Sequence, residues 1–305
     1  KIGGDYTLQL PVEIVEETDR YRTYWDADGT LRKVLQTQDG WTPLFLDFRT
    51  KDRAAWERVR EQAAYRASRL PGNLADSLSA ARQKGQFVAY GAHACFHPTW
   101  HRMGMERMFE FMIEDPDFVT DMFEAHTKLI TDIYDAMKSA GVDFDGAWLS
   151  DDLGYTAAPL ISPGMYRDLV KPYHKQACEH FARDGLKTIF HSDGNIAPLI
   201  PDFLDAGFSA LNPLEAKAGL DVRDLKPKYG DSLTLFGNID VRALAGTRDD
   251  IEEEIRAKVG FGHEHGGYIF HADHSVPNDV SVESYRFAME MLQKRSEEHR
   301  VGKEC

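Results

Sequence analysis

The sequence predicts an α/β fold, and within that class a TIM-type (β/α)8 barrel, from two observations. From residue 87 onwards, short apolar runs of strand length alternate with segments of helical periodicity, a pattern typical of a parallel sheet. Polar residues follow these runs directly, as His191 and Asp193 follow the run at residues 186–190. In a barrel the carboxyl ends of the strands carry the chemistry, so we expect these side chains to share one rim.

The apolar runs predict six strands in this part of the chain. They lie at residues 87–90, 147–149, 186–190, 208–211, 233–236 and 267–270. A closed barrel has eight strands, and the other two are expected either in the irregular N-terminal third or in a segment absent from this sequence. A barrel that is incomplete at its N-terminus, or rearranged, is the alternative.

Helix starts between these strands carry recognisable capping signals. Asp115-Pro116 and Ser162-Pro163 each place a capping residue before a proline at the first helical position. Thr247, with Asp250 three residues later, forms a capping-box pattern. These signals predict helices that begin at residues 116, 163 and 248.

The part of the chain before the barrel is predicted to be an appendage. Residues 20–36 alternate around Asp28-Gly29, a strong signal for a β-hairpin turn. We therefore expect an N-terminal hairpin and helical extension over residues 1–70 and the barrel over residues 71–296. The charged residues 297–305 have no apolar periodicity, and we expect a disordered or appended tail there.

Composition narrows the class of protein. The 305 residues include 36 basic and 50 acidic side chains, for a net charge of −14, which argues against nucleic acid and anionic membranes as partners. No apolar run approaches the roughly 20 residues that span a bilayer, and no signal peptide is visible. Cys95, Cys178 and Cys305 form no disulfide framework, so a cytoplasmic protein that acts on a small molecule is expected.

Five predicted strands end in polar residues. These ends are Ser150-Asp151-Asp152, His191-Ser192-Asp193, Asn212-Pro213-Leu214-Glu215, Gly237-Asn238-Ile239-Asp240 and His271-Ala272-Asp273-His274. A convergent set of imidazoles and carboxylates is what a divalent transition metal requires. We predict zinc or another divalent transition metal, held by His191, Asp193, Glu215 and His274. Taken singly, each residue has an ordinary alternative as a hydrogen-bonding, capping or turn residue.

The remaining polar residues at the strand ends are candidates for contact with substrate. Asp151, Asp152 and Tyr155 are predicted to orient the substrate or to move a proton. The predicted substrate-binding residues are His93, His97, Asn238, Asp240, His271 and Asp273. For His93 and His97, which follow an earlier strand, local packing is an equal alternative.

Several short motifs, in order and at matching spacing, resemble those of the uroporphyrinogen decarboxylase superfamily, which includes the methylcobamide:coenzyme M methyltransferases. The matching pieces are Gly104-Met105-Glu106, Asp151-Asp152-Leu153-Gly154, Ser162-Pro163 through Lys171-Pro172-Tyr173-His174, His191 to Asn195, Asn212 to Glu215, Gly237 to Asp240, Gly266-Gly267-Tyr268 and Asp273-His274-Ser275-Val276-Pro277. They cover residues 85–294. The resemblance implies a TIM-type barrel with its site at the carboxyl ends of the strands.

The resemblance also bears on the metal. Methyltransferase members hold zinc with a His-x-Cys motif and a later Cys, and the related cobalamin-independent methionine synthases add a Glu between them. His191 matches the family His, and Glu215 falls where that Glu would lie. Asp193 stands in place of the first Cys, and His274 lies near the second. A set without thiolates is harder and favours an oxygen-bearing substrate.

The leading expectation is therefore a metal-dependent methyltransferase or demethylase. It would move a methyl group from a small methylated substrate to a corrinoid carried by a partner protein, or to another acceptor. By resemblance, decarboxylases are homodimers whereas corrinoid methyltransferases act beside a separate protein, and the sequence leaves both arrangements open.

Two alternatives remain at this stage. One is a metal-free lyase like uroporphyrinogen decarboxylase, in which His191, Asp193 and His274 serve as acid–base and hydrogen-bonding groups. The arginine-rich N-terminal signature of that enzyme is not recognisable here. The other is a non-catalytic barrel that binds a ligand, suggested by the loss of both family thiolates.

Overall fold

The structure, a computed structural model, describes residues 1–36, 43–262 and 266–301. The chain divides into two compact units. Unit 1 comprises Lys1–Asp151 and Gly164–Leu186, and unit 2 comprises Asp152–Pro163 and Lys187–Cys305. The division predicted at residues 70 and 296 follows the sequence pattern rather than these contacts, and it stays a prediction.

Unit 1 begins with a four-stranded antiparallel sheet in the order β1-β2-β3-β4. Its strands are β1 (Glu13–Glu17), β2 (Tyr21–Trp25), β3 (Thr30–Leu35) and β4 (Leu44–Phe48). The predicted hairpin is β2 and β3, paired from Tyr21 with Leu35 to Trp25 with Leu31. Gly29 takes the positive φ of 76° at its turn, and the Asp26 carboxylate accepts hydrogen bonds from the Asp28 and Thr30 backbone N–H groups. The hairpin is confirmed, and β1 and β4 extend it on both sides.

The second sheet element of unit 1 is a parallel pair, β5 (Ala89–His93) and β6 (Gly146–Ser150). The helices of unit 1 are α1 (Arg53–Glu57), α2 (Leu74–Gln83), α3 (Phe96–Met103), α4 (Met105–Glu114), α5 (Pro116–Ser139) and α7 (Lys171–Ala182), with α6 (Pro163–Met165) at a boundary between the units. Helix α5 begins at the predicted proline and buries the apolar face that its periodicity requires. The Asp115 side chain pairs with Arg53 instead of capping this helix.

Unit 2 contains four parallel strands in the order β10-β9-β8-β7. They are β7 (Thr188–His191), β8 (Phe208–Asn212), β9 (Thr234–Phe236) and β10 (Tyr268–Ile269). The helices are α8 (Ile200–Ala206), α9 (Val222–Tyr229), α10 (Val241–Leu244), α11 (Arg248–Gly262) and α12 (Val282–Val301). Reciprocal hydrogen bonds between Thr247 and Asp250 form the predicted capping box of α11.

The predicted fold class is confirmed as α/β, with a parallel strand near each of the six predicted positions. Before β5, the described residues contain no further strand of this parallel kind, although Ile2 makes a single parallel bridge to Tyr90. Helix α12 continues to Val301, and the disordered or appended tail expected over residues 297–305 stays a prediction. Cys305 lies outside the described residues.

The helices of the described ranges include none long and apolar enough to cross a membrane.

One buried guanidinium ties the N-terminal segment of unit 1 to the segment after α1. Arg69 is 1% exposed and donates hydrogen bonds to the backbone carbonyls of Asp5, Thr7, Gln62 and Ala64. A buried polar group that loses its partners is costly, so several carbonyls depend on this one side chain.

Replacing Arg69 with alanine is expected to lower the free energy of unfolding by roughly 3 kcal/mol or more, since hydrogen bonds to charged groups contribute about 1.5–3 kcal/mol each and are not additive. Urea denaturation followed by circular dichroism measures the loss. Arg66→Ala is the matched control, because Arg66 is exposed and makes one long contact with Glu61. Equal stability of the two variants would contradict the assigned role.

Candidate metal centre

The candidate centre lies in unit 2, where two loops meet backbone to backbone. One loop contains Gly154 and the other, after β7, contains Gly194. A Cβ on Gly194 would lie 2.3 Å from the Gly154 carbonyl carbon, and a Cβ on Gly154 would lie 2.7 Å from the Asp193 carbonyl oxygen. Hydrogen bonds from Leu153 N to Ser192 Oγ and from Asn195 N to Tyr155 O hold the loops in place. Glycine at both positions therefore allows the side chains beside them to converge.

His191 ends β7 and is oriented by the end of the neighbouring strand. Its Nδ1 lies 2.7 Å from Asn212 Oδ1, and the Asn212 amide nitrogen donates to the Phe236 carbonyl. Because that contact fixes the amide, its oxygen faces His191 and Nδ1 must donate. In the neutral ring, Nε2 then carries the lone pair. This is the arrangement in which a metal-binding histidine is usually held by its second nitrogen.

Asp193 lies between the two predicted histidines. His191 Nε2 is 3.8 Å from its Oδ1, and His274 Nε2 is 3.9 Å from its Oδ2. Oδ1 is buried and has no hydrogen-bond donor within the described part of the chain. Burial raises the pKa of this carboxyl, and the charges of Asp152 and Glu215 add to that rise, while His191 and His274 oppose it. A buried carboxylate oxygen without a donor is stabilised by a proton or by nearby positive charge.

His274, the second histidine of the predicted ligand set, follows β10 in the chain. Its Nδ1 lies 3.4 Å from the Ser275 carbonyl, an acceptor, so that nitrogen is the donor and Nε2 is turned towards Asp193. The ring is about one-third exposed. The centre is therefore open on the His274 side.

Glu215 is the most buried of the four predicted ligands, at 4% exposure. Its Oε2 accepts a hydrogen bond from the Gly194 backbone N–H at 2.8 Å. Its Oε1 lies 2.7 Å from the ammonium of Lys217, and this contact raises the pKa of Lys217. A cation is thus already drawn to this carboxylate, in the form of an exposed lysine.

The ligand atoms form two overlapping groups that share Asp193. One group is Asp193, Glu215 and His274, and the other is Asp152, His191 and Asp193; within each group the atoms lie within 4.8 Å of one another. The structure therefore brings three of the four predicted ligands into one group and places His191 in the second, with Asp152. Nitrogen and carboxylate donors of this kind suit zinc, iron or manganese, and the unsatisfied Asp193 oxygen supplies the place for the ion. The donor set fits a divalent transition metal.

The adjacent residues Asp151 and Asp152 have different surroundings. Asp151 is completely buried in unit 1, where its oxygens accept from the N–H groups of Phe96 and His97 at the start of α3 and from His174. Those contacts give both oxygens of the Asp151 carboxylate hydrogen-bond partners, and its catalytic role stays a prediction. Asp152 in unit 2 is about one-third exposed and has Oδ1 4.0 Å from His191 Nε2. Tyr155, half exposed, lies in the same loop.

Three of the predicted substrate-binding residues hold loops of unit 2 together. The buried Asn238 accepts from Val222 N and donates to the carbonyls of Leu214 and Leu220. Asp240 caps α10, and Asp273 accepts from the N–H groups of Ala216 and Val241. His271 Nδ1 lies 2.6 Å from the Ala272 carbonyl. Contact of these four residues with substrate stays a prediction.

His93 and His97 lie in unit 1, where their rings stack with centroids 4.8 Å apart beside His101. From the sequence, Asn212 was identified only as part of a polar strand end, and His101 and Lys217 were not selected. The spacing of His97 and His101, four residues apart on one helix face, is a sequence signal that could have identified His101. The contacts of Asn212 and Lys217 depend on tertiary structure that no local pattern encodes.

Comparisons with known proteins agree with this fold. The sequence profile of the family described as Uroporphyrinogen decarboxylase (URO-D) matches residues 69–295. Uroporphyrinogen decarboxylase of Pelodictyon phaeoclathratiforme is 28% identical over 148 residues, which are 47% of this chain and 41% of that protein. That of Chlorobium phaeovibrioides is 25% identical over 197 residues, 61% of this chain and 52% of that protein. The chain thus matches only about half the length of these relatives.

A solved structure, a methyltransferase from Methanosarcina mazei, is similar with a TM-score of 0.63. The likeness covers 83% of this chain and 72% of that one at 17% sequence identity. At this identity the likeness concerns the fold.

Gly194→Ala is expected to destabilise unit 2 and to separate the two loops of the centre. Gly194 has a φ of +82°, and a Cβ there would meet the Gly154 backbone. Gly185→Ala is the matched control, because Gly185 has a φ of +76° with nothing within 4 Å of a Cβ. The control isolates the left-handed backbone penalty of about 1–2 kcal/mol. Chemical denaturation should show a clearly larger loss for Gly194→Ala, and equal losses would argue against close loop contact.

Proposed function

The chain belongs to the uroporphyrinogen decarboxylase family, and on that premise we propose that it is a metal-dependent methyltransferase or demethylase. It moves a methyl group from a small, oxygen-bearing methylated substrate to a corrinoid carried by a partner protein, or to another acceptor. The observation that carries the proposal is the buried Asp193 oxygen, which meets two imidazoles and further carboxylates without a hydrogen-bond donor among the described residues.

His191, Asp193, Glu215 and His274 are the proposed ligands. When bound, the metal supplies a Lewis acid that makes the methylated oxygen of the substrate a better leaving group. Asn212 keeps the His191 lone pair directed at the centre, and the Gly194 N–H keeps Glu215 in place. The absence of thiolates from this set favours oxygen over sulfur in the substrate.

Asp152 and Tyr155 are the proposed substrate-handling groups. The Asp152 carboxylate lies at the edge of the centre, within 4.0 Å of His191, and is partly exposed. It is placed to orient a polar substrate or to accept a proton from it. The exposed Tyr155 lies three residues further along the same loop and offers a phenol edge to a flat substrate.

Protein purified without chelator is expected to contain about one equivalent of a divalent transition metal, measured by elemental analysis, since each site holds a single ion. Asp193→Ala should lose it, because Asp193 belongs to both ligand groups. Asp224→Asn is the matched control, an exposed carboxylate on α9. Absence of metal from the folded wild-type protein, even after incubation with zinc, would remove the proposed mechanism.

Lys217→Ala is expected to tighten metal binding roughly two- to fivefold, because an ion pair whose lysine is exposed to solvent contributes up to about 1 kcal/mol. The Lys217 ammonium occupies Glu215 Oε1 and must leave before a metal binds there. Calorimetric titration of the apoprotein with zinc gives the dissociation constants. Lys228→Ala, an exposed lysine on α9, removes the same charge without touching Glu215. The same gain in both variants would mean that net charge alone is responsible.

The named relatives favour one second candidate, decarboxylation of uroporphyrinogen. The two candidates give different products. Incubation with 2-methoxyphenol and cob(I)alamin should produce the absorbance of methylcob(III)alamin if the proposed methyl transfer is correct. Release of carbon dioxide from uroporphyrinogen by the metal-free protein would establish the decarboxylase instead.

A further inference from the structure

Unit 1 contains a cavity of about 380 Å³ that the proposed function does not use. His93, His97, His101, Arg32 and Tyr6 are among its walls, and we call it the imidazole cavity. All of its lining residues belong to unit 1, so its chemistry can be read without reference to the metal centre. Its volume lies in the range of small-molecule sites.

The histidines of the imidazole cavity form a stack. The His93 and His97 rings are nearly parallel at 20°, with centroids 4.8 Å apart, and the His97 and His101 centroids are 4.3 Å apart. Behind this lining, the centroids of the Trp100 and His101 rings lie 3.9 Å apart. The three imidazoles give the wall an aromatic surface against which a planar ligand packs.

The hydrogen-bonding state of His101 follows from its neighbour. Arg32 Nη2 lies 3.3 Å from His101 Nδ1, and a guanidinium can only donate, so Nδ1 must accept. Burial lowers the pKa of His101 to about 2, helped by the adjacent His97 and Arg32, so the ring is neutral. Its single proton is consequently on Nε2, which makes that nitrogen a donor.

His126, at the back of the cavity, repeats this pattern. Its Nδ1 faces the Arg102 guanidinium at 3.4 Å, and its Nε2 lies 3.1 Å from the His93 carbonyl, to which it must donate. A ring whose lone pair is taken and whose other nitrogen is protonated does not bind a metal. The arrangement of His101 and His126 thus disfavours a metal site, despite the number of imidazoles.

The acidic groups near the cavity are already occupied. Asp28 accepts from Arg102 and from the Leu8 backbone, and Asp5 accepts from Thr7 and Gln9. Arg32 is ion-paired through Nε with Asp26, which leaves its Nη1 group without a hydrogen-bond partner among the described residues. Arg32 Nη1 and His101 Nε2–H are therefore donors that a ligand can meet, and the complementary ligand brings acceptors.

We propose that the imidazole cavity binds a small aromatic carboxylate. The carboxylate oxygens accept hydrogen bonds from the Arg32 guanidinium and from His101 Nε2–H, and the ring of the ligand packs on the histidine stack. Arg32 is held for this task by Asp26 and by its position over the Phe45 ring at 5.3 Å. This site does not depend on the metal centre of unit 2.

Isothermal titration with benzoate tests the proposal, with benzamide as the uncharged ligand of the same shape. Benzoate is expected to bind saturably and benzamide at least tenfold more weakly. Arg32→Ala and His101→Ala should each weaken benzoate binding roughly tenfold or more, as expected for hydrogen bonds to a charged group. His180→Gln should bind as the wild type does, because His180 pairs with Asp135 and does not line the cavity.

Circular dichroism and thermal unfolding establish that each variant is folded. If His101→Ala does not fold, the binding measurement on Arg32→Ala decides. Three outcomes would overturn the proposal. They are the absence of benzoate binding at millimolar concentration, equal binding of benzamide, and benzoate binding that both variants retain. Nickel or zinc binding that His101→Ala abolishes would also overturn it, since the cavity would then be a metal site.

Discussion

The constraint that governs the candidate centre is the burial of hydrogen-bond acceptors without donors. Asp193 Oδ1 has no hydrogen-bond donor within the described residues, and Nδ1 of His191 and of His274 is directed to an acceptor, which leaves Nε2 of each ring facing Asp193. A buried carboxylate oxygen without a donor is unfavourable in low dielectric surroundings unless positive charge is supplied. The raised pKa of Asp193 expresses the same conflict, since a proton is the smallest cation able to relieve it. The glycine contact that brings the loops together therefore places this carboxyl where the proposed cation would be bound.

A comparison of Asp193 with Asp151 shows why residue type alone does not identify a ligand. Both aspartates closely follow a strand, and both are near a histidine. Asp151 receives two backbone N–H groups and the His174 ring, so its charge is fully compensated by donors. Asp193 receives no comparable set of donors. Both oxygens of Asp151 thus have donors, whereas Asp193 Oδ1 has none among the described residues and is the atom at which we propose a cation.

The sequence predicted those aspects of the fold that depend on local pattern. Periodicity located the six parallel strands, and the Thr247 and Asp250 pair located the start of α11, because each signal acts within a few residues. The rule that polar strand ends gather at one edge correctly predicted that Asp193, Glu215 and His274 lie close together. The same rule made the same prediction for Asp151 and Asp152, although Asp151 is completely buried and the adjacent Asp152 is partly exposed. The contact of Asn212 with His191 and that of Lys217 with Glu215 were not predicted, because each depends on what tertiary structure places beside these residues.

The two candidate sites suit ligands of opposite charge, and in each site the difference follows from the group that contacts Nδ1 of a histidine. That group is an asparagine or a backbone carbonyl in unit 2 and an arginine in unit 1. In unit 2, acceptors opposite Nδ1 leave Nε2 of His191 and His274 facing Asp193, which is the arrangement that the proposed cation would use. In unit 1, the guanidinium opposite Nδ1 of His101 turns an N–H outwards, and the site then calls for an anion. A count of histidines would have assigned a metal to both places. The partner of the second ring nitrogen, rather than the histidine itself, determines which chemistry each site can perform.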